Sequence, residues 1–279
     1  GRLGKADSGL HLLTATDLGT AKTLANELEK TNQERKEIQE ETFLEAESLL
    51  RNERDLESER VIVLASEIFH PGVIGIAASK IVDTYHRPTV LIALEEGIGK
   101  GSGRSIPKFN LFKAFTNCSS HLIQFGGHAY AAGLSIAEEN VDAFRDAMNE
   151  AGHQFLTDED LIPEIKLDTT LDLSQINFPF YKSIALLEPF GAENPVPSFQ
   201  SQGVKIKEVK HMGKEKNHLR FRAVQGSEQI GVIAFNFASL FESLDITNEF
   251  FDIAYELHLN SWNGREKLEL RLLDIRASE

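Results

Sequence analysis

The sequence predicts two folded parts of different class, an α/β domain and then an all-β domain, both following a long connecting helix. Three observations carry this. Residues 17–60 are rich in charge and hold no Pro and no Gly beyond Gly19; residues 61–156 alternate short apolar runs with helical stretches; and beyond residue 163 the apolar period shortens to two. At 279 residues the chain has room for about two domains of ~100–150 residues, and 41% apolar residues are enough for two cores. The expected boundaries are 1–60 for the helical lead-in, 61–156 for the α/β domain and 163–279 for the β domain, with Asp158, Glu159 and Asp160 in a polar linker.

Thr16 and Asp17 are candidate N-caps of the long helix, which at 1.5 Å per residue runs ~60 Å to Arg60. Between Leu28 and Phe43 only Ile38 is apolar, the composition of a helix that bridges domains across solvent. Without sustained heptads a coiled coil is the weaker alternative. Gly1-Arg2-Leu3-Gly4, with no Met, reads as the tail of something larger. In the α/β part, Val61–Ala65 is a buried strand and His70-Pro71-Gly72 opens a helix carrying the small residues Gly75, Ala77, Ala78 and Ser79. Pro88 ends that helix before a strand at Thr89–Leu94. Leu111–Phe125 reads as a helix, Ala131–Ile136 as a strand and Val141–Phe155 as a helix. In the β part, Val204–Val209, Leu219–Val224 and Gln229–Ala234 are strands, and Phe237–Leu244 is a short helix. Two strictly alternating runs, from Phe251 and through Leu268, Leu270 and Leu272, meet at an Asn263-Gly264 turn. Five strands with a helix after the third is the element order of an OB-fold barrel.

No window approaches ~18 consecutive apolar residues and no signal-peptide pattern opens the chain, so no membrane association is expected. A lone Cys118 excludes a disulfide framework and a Cys-based zinc site, and a reducing cytoplasm fits. The net charge of −14 argues against a polyanionic partner until it is resolved by region. Gln200–Gln225 holds seven Lys and Arg against two Glu, a local +5, while the acidity belongs to the long helix, the linker and the outer strands.

Three clusters could carry chemistry. Gly99-Lys100-Gly101-Ser102-Gly103-Arg104-Ser105 offers backbone access, hydroxyls and a guanidinium to a phosphate, or it is a flexible surface turn. Gly126-Gly127-His128 presents an imidazole from a turn, either to a phosphate or simply to solvent. On the strand after Asn217, His218, Arg220 and Arg222 face one way and share a surface with Lys205 and Lys207. That surface is a groove for a single strand or a solvated charged face. Trp262 at a hairpin tip could stack a base or cover the barrel end. No metal-ligand motif appears, and Cys118 has no activating neighbour in sequence.

Phe69-His70-Pro71-Gly72-Val73-Ile74-Gly75-Ile76-Ala77-Ala78, Gly101-Ser102-Gly103-Arg104-Ser105-Ile106 and Gly126-Gly127-His128-Ala129-Tyr130-Ala131-Ala132-Gly133 together resemble the DHH-associated domain of DHH-superfamily phosphoesterases. More narrowly they resemble the RecJ family of single-strand-specific 5′-to-3′ exonucleases. Leu187–Pro195 is similar to the segment entering that family's OB domain, and Gly1-Arg2-Leu3-Gly4 is like the last motif of its DHH domain. The resemblance implies the C-terminal portion of a DNA repair and recombination exonuclease, with Mn2+ or Mg2+ held by a DHH domain that this sequence lacks. It implies that the chain alone binds strand without cutting it. It also implies that His128 contacts the scissile region or its phosphate, as the catalytic candidate, and that Ser102 and Arg104, with Arg2, hold the 5′-terminal phosphate; Gly103, Ser105, Gly126 and Gly127 are phosphate- or nucleic-acid-binding candidates beside them. Lys205, Lys207, Arg220 and Arg222 would track the strand, an assignment that rests on charge count. Single-stranded DNA is the expected partner, with a helicase or single-strand-binding protein as candidates. Two other readings stay open: a DHH-type phosphodiesterase of short oligonucleotides or cyclic dinucleotides, and a non-enzymatic single-strand-binding adaptor.

Overall fold

A computed structural model describes residues 3, 6–53, 55–56, 58–246, 249–262 and 264–278, without the side chains of Glu53 and Trp262. The expectations placed on Arg2, on the Gly1-Arg2-Leu3-Gly4 motif, on Asn263 and on the Trp262 ring lie outside the described residues. The chain forms two compact units, Gly1–Pro163 and Glu164–Glu279.

The first unit opens with helix α1 (Asp7–Leu13) and helix α2 (Leu18–Glu53). Asp17 caps α2 by accepting from the Thr20 N–H at 2.8 Å. The helix stops short of the expected Arg60. The carbonyls of Leu56 and Glu59 are held instead by the Arg87 guanidinium, a partner distant in sequence that local propensity cannot register. The polar middle of α2 is solvated, whereas Phe43, Ala46 and Leu50 in its last third are buried.

A five-stranded sheet follows, in the order β1 (Ile62–Ser66), β2 (Thr89–Glu95), β3 (Ile98–Arg104), β5 (Ala131–Ala137), β4 (Gln124–Gly127). Strands β1 and β2 are parallel and joined through helix α3 (Ile74–Tyr85); the other pairs are antiparallel. Ile62, Leu64 and Leu91 face α2 and α3, where Ala77, Ala78 and Ile81 pack at zero exposure. Val61, Val63, Val90 and Ile92 face the opposite core, filled by Phe115 of α4 (Leu111–Asn117) and Phe144 and Met148 of α5 (Val141–Phe155). Helices on both faces explain why β1 reads as an unbroken apolar run. Asn149 of α5 bonds both the N–H and the C=O of Val61, just before β1, and Arg145 Nε donates to the Val63 carbonyl, so α5 covers the start of that strand's edge.

Three local expectations change. Pro71 lies in a turn before α3, where the Val73 and Ile74 N–H groups both donate to the His70 carbonyl. Leu111–Phe125 is a short helix, a 3-10 turn at Ser119–His121 and then β4, because Phe125 and Gly126 pair with Leu134 and Gly133. The glycine-rich run is a central strand and not a loop. Gly99, Gly101 and Gly103 point into the core, where an added Cβ would sit 2.5 Å from Ile92, 2.7 Å from Leu134 and 2.6 Å from Leu111.

The second unit holds β6 (Thr169–Thr170), α6 (Phe178–Ala185), β7 (Ser198–Met212), β8 (His218–Gln225), β9 (Glu228–Ala234), α7 (Ala238–Glu242), β10 (Phe251–Trp262) and β11 (Arg265–Ala277). The order β7-β8-β9-β11-β10 closes on itself through β10–β7, with α7 after the third strand, as in an OB barrel. Strand β7 serves both sides of the closure. Ser198–Val204 pairs with β10 and Lys205–Met212 with β8, and Gly203 at φ 64° turns the corner between them. Phe199, Phe221, Phe251, Tyr255 and Leu270 fill the interior. Sequence reading missed α6, although Asn177 caps it by accepting from the Phe180 N–H and Pro179 stands in its first turn.

Asp252 ties the barrel ends together by accepting from Gly203 N–H, Ser278 Oγ and Arg276. Burial pushes its carboxyl up, but these hydrogen bonds outweigh burial and leave it below the ordinary aspartate value. A depressed native value gives stability that is present above the unfolded pKa and lost as pH falls through the native one. Asp252→Asn should therefore cost about 1–2 kcal/mol in urea at pH 7, with the gap from wild type narrowing toward pH 3. A gap independent of pH would show that the carboxylate charge is irrelevant.

Candidate nucleic-acid interface

Strand alternation sorts the glycine-rich segment into two faces. With Gly99, Gly101 and Gly103 turned inward, Lys100, Ser102 and Arg104 stand in a row on the other face, the side that carries α3. Arg104 Nη1 donates to Ser102 Oγ at 3.1 Å and to the Gly103 carbonyl at 2.7 Å, which fixes the guanidinium over the strand. The Ser105 hydroxyl points elsewhere and donates to the Phe109 carbonyl at 2.7 Å. Gly75 of α3 meets this row directly. A Cβ on it would lie 2.8 Å from Arg104 Nη2 and 3.0 Å from Ser102 Oγ. Sequence reading had noted Gly75 only as a small residue for sheet packing.

Beyond Arg104 the same face continues across the sheet without large side chains. Ser102 is opposite Gly133 and Gly133 is opposite Gly126, so three small residues from three strands line up. A Cβ on Gly126 would meet nothing within 4 Å, so the fold does not require glycine there. Gly127 is different: at φ 141° its Cβ would be 2.5 Å from the Ala131 carbonyl. That glycine shapes the hairpin, closed by His128 N–H to the Ala131 carbonyl at 2.8 Å, and His128 stands exposed at its start. Ala131 is opposite Arg104, which puts His128 and Arg104 at the same end of the sheet, two strand spacings or ~10 Å apart. An anion on this face would meet one guanidinium and one hydroxyl over backbone left bare by glycine, with the exposed His128 at the same end of the sheet.

In the barrel, register gathers charges that are far apart in sequence. Lys207, Arg222, Gly231 and Glu269 form one row across β7, β8, β9 and β11; Lys210, Arg220, Ile233 and Arg271 form the next. The cations are partly neutralised. Glu208 pairs with Arg222 at 2.8 Å, Glu256 with Arg271 at 3.7 Å, and the buried Glu269 with Arg220 and, at 3.9 Å, Lys267. Lys205 and Lys207 have no ion pair among the described residues; Lys205 Nζ lies 4.7 Å from the Phe250 ring centre. Lys267, Arg271, Glu269 and Phe235 belong to this surface and were missed, because only the β9–β11 pairing brings them there.

The remaining candidates serve structure. Burial first, and Glu150 second, push the Cys118 thiol up to about 11, so it is no nucleophile near neutrality. Asp158 pairs with Arg60 at 2.7 Å, and Asp160 accepts from the Thr157 N–H at 2.9 Å. Among the described residues no group of three or more His, Cys, Asp or Glu is gathered in a way that could hold a metal ion. No helix among them is long and apolar enough to cross a membrane.

Two family models match: the DHHA1 domain at residues 58–153 and the RecJ OB domain at residues 167–274. They define the class, a DHH-associated domain followed by an OB domain. The chain is 34% identical, over its whole length, to 35% of the single-stranded-DNA-specific exonuclease RecJ of Bacillus subtilis (strain 168). Over 97% of its length it is 35% identical to 48% of the RecJ of Haemophilus influenzae. The crystal structure of RecJ in complex with Mn2+ from Thermus thermophilus superposes on all of the chain with a TM-score of 0.80 at 31% identity, and the match covers 39% of that chain. The chain carries a DHHA1 domain and a RecJ OB domain, and it spans between a third and a half of the length of the RecJ relatives it matches, in their C-terminal part. RecJ has also been crystallised with Mg2+. Among the described residues no donor set is gathered that would fit either ion.

Proposed function

We propose that this chain is the strand-binding portion of a single-strand-specific 5′-to-3′ DNA exonuclease acting in repair and recombination in the cytoplasm. The parent enzyme uses Mn2+ or Mg2+ held outside residues 1–279. Residues 61–156 form the DHH-associated domain and 163–279 the OB domain, joined to the catalytic domain through 1–60. The observation that carries the reading is the face where Arg104 and Ser102 stand beside glycine-bared backbone, with His128 at the same end of the sheet, in a chain related along its whole length to RecJ.

On this reading Arg104 and Ser102 hold the 5′-terminal phosphate, with Gly75 leaving room for the guanidinium. Gly126 keeps the path clear, and His128 reaches the scissile region. Lys205 and Lys207 supply counterion release on the barrel; Arg220 and Arg222 add to it when a phosphate displaces Glu269 and Glu208. Binding of a short single-stranded oligonucleotide to this chain, titrated against salt, tests the barrel assignment. Neutralising both lysines should flatten the log–log salt slope by about 1.4, since each phosphate contact contributes ~0.7. Glu208→Gln should raise affinity by freeing Arg222. An unchanged slope together with an unchanged affinity in Glu208→Gln would move the binding surface off this face.

A further inference from the structure

A groove of about 550 Å3 lies on the second unit, between the segment running from α6 to β7 and the wall made by β9, β10 and β11. Its floor is aliphatic, with Leu257 and Leu270 nearly or wholly buried, and Phe235 stands at its rim, 47% exposed. Among the described residues it offers no unpaired Lys or Arg. Arg271 is engaged by Glu256, and the exposed Glu188 adds negative charge. A phosphate has no partner there, whereas a flat, uncharged, polarisable ring does. The groove also begins where the cationic rows end: Ile233, on its wall, is opposite Arg220 on one side and Arg271 on the other. From Lys207 on β7 to β11 is three strand spacings, ~14 Å.

We propose that this groove is a nucleobase site: a single strand whose phosphates ride the lysines of β7 turns its bases into it, where they stack on Phe235 with the Arg271 guanidinium nearby. Arg271 already lies 5.9 Å from the centre of that ring. The division of labour is physical. Phosphate contacts release counterions and depend on salt; stacking releases none, and every base has a face to stack. The proposal rests on the reading of the barrel as a strand-binding surface.

The test uses the whole chain and two probes of equal length, oligo-dT and an abasic oligomer with the same phosphates and no bases. Phe235→Ala should weaken oligo-dT binding about tenfold at an unchanged salt slope and leave the abasic oligomer unaffected. Val196→Met, which fills the groove from its partly exposed far wall with a non-aromatic side chain, should act the same way without emptying anything. Equal losses on both probes, a changed salt slope, or no effect of either substitution on oligo-dT would overturn the base site. That failure is distinguishable from failure of the barrel reading, in which neutralising Lys205 and Lys207 would leave both probes bound as before.

Discussion

Arg104→Ala, introduced into a complete enzyme of this family, should lower kcat/KM on 5′-phosphorylated single strands about a hundredfold and on 5′-hydroxyl strands far less. The guanidinium is held over β3 by Ser102 and the Gly103 carbonyl, so it is already aimed and loses little freedom when it grips an anion. Charge-assisted hydrogen bonds contribute about 1.5–3 kcal/mol each, and a twofold grip on one phosphate at the lower end of that range, ~3 kcal/mol, corresponds to about a hundredfold. Arg104→Lys should recover only a minor part, because an ammonium cannot reproduce the planar fork. Gly75→Ala gives an independent check. Its Cβ would displace the Arg104 tip, a movable group, so the protein should fold while the preference for phosphorylated ends shrinks. Equal losses on both kinds of end in Arg104→Ala would reject the 5′-phosphate role.

Gly101→Val should destabilise the first unit by about 3 kcal/mol. Its Cβ would stand 2.7 Å from both Cγ and Cδ1 of Leu134 and 3.3 Å from Ile92, side chains that are themselves buried in a filled core. The better strand propensity of valine recovers at most ~1 kcal/mol of that. Helical ellipticity follows mainly the first unit, while hydrogen exchange at the β10 and β11 amides follows the second. The ellipticity midpoint in urea should fall and the midpoint read from those amides should stay. Gly126→Val is the control, since its Cβ would meet nothing, and it should leave both midpoints in place. A neutral Gly101→Val would return the glycines of β3 to a role in ligand approach.

The glycines of β3 mark where composition stops being informative. Three glycines in five positions look like a phosphate loop because composition does not say which face of the chain is covered. Here the glycines face inward and the ligand candidates, Ser102 and Arg104, alternate with them. Elements set by period were legible: α5 at Val141–Phe155, the alternating strands β10 and β11, and the OB order of the second unit. The end of α2 and the start of β4 were not, since Arg87 and Leu134 decide them from a distance.

What the sequence determined by itself was class and chemistry. Local periodicity is a property of neighbouring residues, and motif residues such as Ser102, Arg104 and His128 keep their functional groups wherever the chain goes. Which groups meet, and which are spent on one another, belonged to the tertiary structure. Gly75 touching Arg104, Glu208 and Glu269 holding two of the barrel's arginines, and Phe235 beside Arg271 all come from strand register and helix packing. The local +5 of Gln200–Gln225 illustrates the difference. Charge adds along a chain, but electrostatic free energy depends on distance, and the barrel brings Glu269 in from elsewhere in the sequence to the centre of its cationic face.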